Sequence, residues 1–149
     1  MYKDLKLCGF NYDMKIYFAG SIRGGRNDKE FYLKLIQHLS KYGRVLTEHV
    51  GDQNLDDFGE RGPSDEWIYN RDMSWLEESD VLVAEVTTPS LGVGYEISKA
   101  ESMDKKMLCL YRKQQGKRLS AMINGSPNIE IGEYQTLDDA KKIIDDFFK

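Results

Sequence analysis

Short apolar runs alternate along the chain with stretches of helical periodicity. Lys15-Ile16-Tyr17-Phe18-Ala19 is a β-prone run ended by Gly20. Asp28 is placed to cap a helix reaching about Lys41, with Phe31, Leu35 and Leu39 at four-residue spacing and Ile36 beside them. Gly43 suits the stop of that helix, and Arg44 to Thr47 reads as a second strand. Ser64 is a candidate N-cap for a helix through about Ser79. Val81 to Val86 is a continuous apolar strand interrupted only by Glu85. A helix from about Val93 to Asp104, a strand from Lys106 to Tyr111, a short helix from Lys117 to Ile123 and a strand from Ile129 to Tyr134 follow. Thr136 and Asp139 have the spacing of a capping box for a last helix carrying Leu137, Ala140, Ile144, Phe147 and Phe148.

Strands and helices in strict alternation predict an α/β fold, a parallel sheet with helices on both faces. Ligands of such sheets bind beyond the carboxyl ends of the strands. That rule singles out the loops 20–27, 48–64 and 87–92. The second is long and rich in glycine, proline and acids, as functional lids often are. Residues 1–14 carry little periodicity and read as an N-terminal extension to one domain over 15–149.

Composition narrows the function. The 149 residues are 40% hydrophobic and 31% charged, enough apolar surface for a core. The net charge of −4 argues against a nucleic-acid polymer as partner, though not against one small phosphate. No apolar run has the roughly 20 residues of a membrane span, and Met1 to Phe10, with no apolar h-region and no small-residue cleavage site, does not read as a signal peptide. Cys8, Cys109, His38 and His49 have no metal-site spacing, so no metal is expected. The absence of a disulfide framework favours an intracellular setting, cytoplasmic or, in a eukaryote, nuclear.

Two carboxylates stand out. Ile68, Asp72, Trp75, Leu76 and Ser79 share one helical face, which predicts a part-buried Asp72 whose protonated form is favoured. An ion pair with a nearby arginine is the plainer alternative. Glu96 borders the face of Val93, Ile97 and Ala100 and is expected in the first turn of its helix, where the dipole favours an anion. One carboxyl pushed toward neutral and one kept ionised is a pattern of chemistry at a glycosidic bond. Ser90-Leu91-Gly92-Val93-Gly94, leading into that helix, lets backbone N–H groups approach an anion. Ser21-Ile22-Arg23-Gly24-Gly25-Arg26 offers two guanidinium groups in a glycine-rich loop, but it is neither a Walker A loop nor a dinucleotide fingerprint. No Gly-x-Ser-x-Gly elbow occurs, which removes a serine hydrolase from consideration. Trp67 and Trp75 could stack bases, but the spacing of Trp75 places it in the core.

Taken together, Tyr17-Phe18-Ala19-Gly20-Ser21-Ile22-Arg23-Gly24-Gly25-Arg26, Leu46-Thr47-Glu48-His49, Asp72 with Trp75-Leu76, Val83-Ala84-Glu85-Val86-Thr87, Pro89 to Glu96 and Leu119-Ser120-Ala121-Met122-Ile123 closely resemble the 2′-deoxynucleoside 5′-phosphate N-hydrolases of the nucleoside 2-deoxyribosyltransferase superfamily. The resemblance implies a flavodoxin-like, Rossmann-like three-layer sandwich with five parallel strands in the order 2-1-3-4-5. It also implies hydrolysis of a deoxynucleoside 5′-monophosphate to free base and 2-deoxyribose 5-phosphate, without a cofactor. By the same resemblance Glu96 matches the nucleophile, Asp72 its acidic partner and Tyr17 the active-site tyrosine. Ser21, Ser90 and Ser120 match phosphate-contacting serines, with Gly20, Arg23, Gly24, Gly25, Arg26, Gly92 and Ala121 beside them. Ile22, His49, Ile68 and Met122 match positions around the base. Ser120 is implied to reach the site of the other subunit of a homodimer. A deoxyribosyltransferase, a ribonucleoside monophosphate hydrolase and a non-catalytic nucleotide sensor are the alternatives.

Overall fold

The computed structural model describes residues 13–22, 29–47 and 62–149. The expected cap Asp28, the loop residues Arg23 to Arg26, His49 and most of the 48–64 loop lie outside the described residues. Among the described residues ten elements follow one another: β1 (Lys15–Ala19), α1 (Lys29–Leu39), β2 (Arg44–Val45), α2 (Asp65–Glu78), β3 (Val81–Glu85), α3 (Leu91–Ser102), β4 (Lys106–Arg112), α4 (Ala121–Asn124), β5 (Ile129–Tyr134) and α5 (Leu137–Phe147). The strands form one sheet in the order β2-β1-β3-β4-β5, and every pairing is parallel. This is the flavodoxin-like order expected from the resemblance.

Alternation along each strand divides the core in two. Ile16, Phe18, Val81, Val83, Leu108 and Leu110 pack with Tyr32, Leu35 and Leu39 of α1 and Ala140, Ile144 and Phe147 of α5. The intervening Tyr17, Ala19, Leu82, Ala84, Met107 and Cys109 pack with Leu76 of α2 and Val93, Ile97 and Ala100 of α3. Each large apolar side chain fully buried this way contributes roughly 1.5–3 kcal/mol. The register thus decides that Tyr17 faces α2 and α3 while Phe18 faces α1.

Several boundaries differ from the expectation. The second strand stops at Val45, not Thr47, because the Thr47 hydroxyl takes over the pairing: it accepts from Phe18 N at 2.8 Å and donates to Phe18 O at 2.6 Å. The third strand ends at Glu85 rather than Val86. Helix α3 starts at Leu91, two residues early, because Ser90 is its N-cap. The short helix is confined to Ala121–Asn124, capped by Ser120. Ser64 and the Thr136–Asp139 capping box occur as expected.

Gly43 has a different role from the one expected. Helix α1 already ends at Leu39. A Cβ at position 43 would lie 2.3 Å from the backbone oxygen of Met14, so glycine is required by close approach of two chain segments. Gly43→Ala is expected to destabilise the fold by about 1–3 kcal/mol, measured by denaturant unfolding; an unchanged midpoint would show that the β1–β2 corner tolerates the shift.

Candidate active site

Strand β1 sends its chain toward β2 on one side, and β3 lies on its other side. Their carboxyl ends therefore open a crevice at the point where the strand order reverses, the usual ligand position in such sheets. Tyr17, Ser21 and the 87–90 loop converge there, joined by α2 and α3.

The centre of the site is a hydrogen bond. The Tyr17 hydroxyl donates to Glu96 Oε1 at 2.6 Å across 79 positions of sequence. Tyr17 is buried in the α2–α3 half of the core. Burial, followed by the negative charges of Glu96 and Asp72, drives its ionisation far above the ordinary tyrosine range. It therefore remains a phenol and a permanent donor. Glu96 is half-buried as a residue, while its carboxyl group sits deep among neighbouring atoms. Burial pushes that carboxyl up to about 7; the Tyr17 hydrogen bond pulls it down and the charge of Asp72 pushes it up.

This corrects two expectations. Glu96 is not a first-turn residue: α3 begins at Leu91 and has no acid in its first turn, so the helix dipole is not what holds the carboxylate. The polarity of the carboxyl pair is also reversed. Glu96 is the group that burial pushes toward the neutral form, whereas Asp72 is in an ion pair with Arg71. Arg71 Nε and Nη2 donate to Asp72 Oδ1 at 2.9 and 2.8 Å. Of the apolar face drawn around Asp72, Leu76 and Ser79 are buried while Ile68 and Trp75 are half-buried. Ser79 is the C-cap of α2, its hydroxyl donating to Leu76 O at 2.7 Å.

The other end of the crevice is polar. Ser21 is fully buried, its N–H donates to the Tyr32 hydroxyl at 3.2 Å, and its own Oγ has no hydrogen-bond partner among the described residues. A buried hydroxyl in that condition is suited to an incoming anion. Gly20 packs tightly here: a Cβ would press on the Tyr32 ring at 3.0 Å. Ser90 Oγ accepts from Val93 N at 3.4 Å as the N-cap of α3, which leaves its hydroxyl proton available to donate. Gly92 follows in the first turn, exposed.

The remaining candidates are not all gathered at this point. Ile22 packs against the α1–α5 half of the core. Ser120, Ala121 and Met122 lie exposed at the start of α4, where Ser120 Oγ accepts from Met122 N at 3.3 Å.

The ion pair given as the alternative for Asp72 is thus present, with Arg71 as its arginine. One contribution escaped the sequence reading, a buried lock under the 87–90 loop. Glu85 Oε1 accepts from the Thr87 hydroxyl, from Thr87 N at 3.2 Å and from the Tyr134 hydroxyl at 3.0 Å. Arg112 N in turn donates to the Thr87 hydroxyl at 2.9 Å. The signal was a lone acid in an apolar strand.

A parallel sheet in this order, with a buried carboxyl at its switch point, defines a flavodoxin-like α/β protein built to act on a bound small molecule. The nucleoside 2-deoxyribosyltransferase family model matches residues 16–137, and the chain belongs to that family. A 5-hydroxymethyl-dUMP N-hydrolase of Tetraodon nigroviridis is 50% identical over 139 residues, covering 91% of this chain and 97% of that protein. A human protein of the same name is 43% identical over 138 residues, covering 90% and 79%. Among solved structures, a Clostridium botulinum CMP N-glycosidase superimposes with a TM-score of 0.65 at 20% identity, covering 88% of this chain and 98% of that one. A 2-deoxyribosyltransferase of Bacillus psychrosaccharolyticus gives 0.61 at 16%, covering 85% and 90%. At those identities the likeness is one of fold.

Tyr17→Phe is expected to raise the pH at which Glu96 ionises above about 7, because the lost hydrogen bond favours the charged form. Carbon-13 carboxyl titration by NMR measures this; an unchanged or lower value would mean that the Tyr17 hydroxyl does not stabilise the carboxylate.

Proposed function

We propose that this chain hydrolyses the N-glycosidic bond of 2′-deoxynucleoside 5′-monophosphates, releasing free base and 2-deoxyribose 5-phosphate. The observation that carries the reading is the buried Glu96 carboxyl gripped by Tyr17 at 2.6 Å, with Asp72 close enough to act on both electrostatically. The names of the N-hydrolase relatives at about half identity support it.

Ionised Glu96 attacks C1′ of the sugar from the face opposite the base, through a transition state with oxocarbenium character. The base leaves with the bonding electrons and takes a proton from a water held by Asp72. The hydroxide so formed attacks C1′ of the glycosyl ester, and Glu96 departs as carboxylate. One water is consumed and Asp72 ends as it began. Tyr17 fixes the attacking oxygen in line, a positioning role. The Ser21 and Ser90 hydroxyls and the N-terminus of α3 hold the 5′-phosphate, with Gly20 and Gly92 allowing close approach. Ile68 borders the base.

Ser120 completes the phosphate site of a second copy, and the chain works as a homodimer. Ser120 lies exposed in this chain, as do the apolar side chains of Met122 in α4 and Leu91 at the start of α3. A phosphorylated substrate fits a cytoplasmic setting. No helix among the described residues is long and apolar enough to cross a membrane.

Chromatography of products from deoxy- and ribonucleoside monophosphates, with and without an acceptor base, tests the reaction. Free base and deoxyribose 5-phosphate are expected, with kcat/KM rising as pH increases through about 7, where Glu96 ionises. Glu96→Gln should lose turnover by several orders of magnitude. Retention of more than about a tenth of the rate, a change of only about 1.4 kcal/mol, would remove Glu96 as nucleophile. A new nucleotide formed only with acceptor would move the chain to transferase chemistry.

Mixing Ser120→Ala with Glu96→Gln subunits tests the shared site. Each variant alone should be weak. Random exchange should restore roughly a quarter of wild-type activity, because half the dimers then carry one intact site. Failure to restore any activity would place Ser120 outside the partner's site.

A further inference from the structure

The ion pair on α2 is built more elaborately than a surface contact requires. Trp67, Arg71 and Trp75 follow one another at four-residue steps, which brings their side chains onto one helix face. The Arg71 guanidinium carbon lies 5.1 Å from the Trp67 ring centroid and 4.6 Å from that of Trp75. Two of its nitrogens donate to a single oxygen, Asp72 Oδ1, at 2.9 and 2.8 Å. Both side chains are mostly withdrawn from solvent, at 16% and 19% exposure. Trp75 is itself anchored against the α2–α3 half of the core.

We propose that Arg71 is a positioning residue: stacked between Trp67 and Trp75, its guanidinium holds Asp72 as the ionised member of the carboxyl pair and orients it for the water that delivers a proton to the leaving base. The proposal rests on the N-glycosidic reading above and assigns a role to a residue outside its reacting set. Three elements bring the groups that matter together. Tyr17 comes from β1, Glu96 from α3, and Arg71 with Asp72 from α2. The charges of both Arg71 and Asp72 are felt at Tyr17, and that of Asp72 at Glu96. A proton shared loosely between two carboxyls would place the nucleophile and the water-holding group in competition for it. A fixed cation on one of them removes that ambiguity and leaves Glu96 as the group that titrates near neutrality. Arginine suits the task because a planar fork can stack on rings and donate two bonds in its plane, which an ammonium cannot do.

The test uses the full chain with Arg71→Gln and Arg71→Lys, and Asp72→Asn to assign the Asp72 carboxyl resonance. In carbon-13 carboxyl titrations, Asp72 should ionise about one pH unit or more higher in Arg71→Gln than in wild type. On the best nucleoside monophosphate, kcat should fall at least about tenfold with KM changed less than about threefold, as expected for loss of orientation in the transition state. Arg71→Lys should return the Asp72 titration toward wild type while kcat stays low, since charge is restored without the stacked fork. Trp67→Leu, at an exposed position, gives a second readout if Arg71→Gln folds poorly: it should lower kcat without moving the melting temperature. An Asp72 titration identical in wild type and Arg71→Gln overturns the proposal, as does a kcat of Arg71→Gln within threefold of wild type. Wild-type protein that shows no N-glycosidic turnover refutes the functional reading instead, and the titration still decides the role of Arg71.

Discussion

A single hydrogen bond between a strand and a helix is the constraint around which the site is arranged. Tyr17 and Glu96 meet at 2.6 Å only because β1 and β3 are neighbours and α3 returns over the face toward which the register turns Tyr17. A shift of one residue in β1 would exchange Tyr17 with Phe18 and leave Glu96 without a donor. Burial alone favours the neutral form of the carboxyl. A phenol that does not ionise offsets part of that cost and holds the group close to 7, where the charged form is populated at neutral pH. The desolvation that raises the group also raises the reactivity of the carboxylate once formed, since few donors compete for its electrons.

The rest of the crevice divides its labour by charge. The carboxyls lie on the α2–α3 side, and the neutral donors Ser21 and Ser90 lie at the loop ends of β1 and β3. In the proposed reaction the 5′-phosphate meets these neutral donors rather than the carboxyls. The fully buried Ser21 fits this division, because a hydroxyl supplies a hydrogen bond without the desolvation cost of a buried cation. Its position follows from two contacts with one aromatic residue: the Tyr32 hydroxyl accepts from Ser21 N, and the Tyr32 ring packs closely against Gly20.

Most of the framework was legible because it rests on periodicity, a local property. Alternating strands and helices specified the parallel sheet, and caps at Ser64 and Thr136 marked two helix starts to the residue. The errors fall where a side chain replaces a regular pattern. Thr47 continues the ladder through its hydroxyl, so a strand that reads four residues long is assigned two. Ser90 was read for its place in a small-residue loop, while its capping bond moves the helix start and carries Glu96 out of the first turn. The environments of the two carboxyls were inverted for a related reason. Asp72 is paired with its immediate neighbour, and adjacent residues point away from each other on an ideal helix, so a face diagram hides the contact. The groups that act on the Glu96 carboxyl are non-local, Tyr17 from β1 and Asp72 from α2. The order 2-1-3-4-5 and the site assignments came from resemblance, because strand order beyond parallel alternation is not written in any local pattern.

The segment from Glu85 to Glu96 shows how environment separates two identical residues eleven positions apart. Glu85 is completely buried at the end of β3, on the α1–α5 side of the sheet, yet it accepts from Thr87 twice and from Tyr134. The burden falls on Tyr134, whose ionisation is driven far upward by burial and then by the Glu85 charge, so it too stays a donor. Through Arg112 N and the Thr87 hydroxyl the same cluster ties β4 to the loop that enters α3. Glu85 is thereby committed to holding the ends of β3, β4 and β5 in register. Among the described residues Glu96 accepts from Tyr17, and its carboxyl is raised to about 7. Density of hydrogen bonds, rather than burial itself, is what distinguishes the carboxyl that braces the crevice from the one raised to about 7.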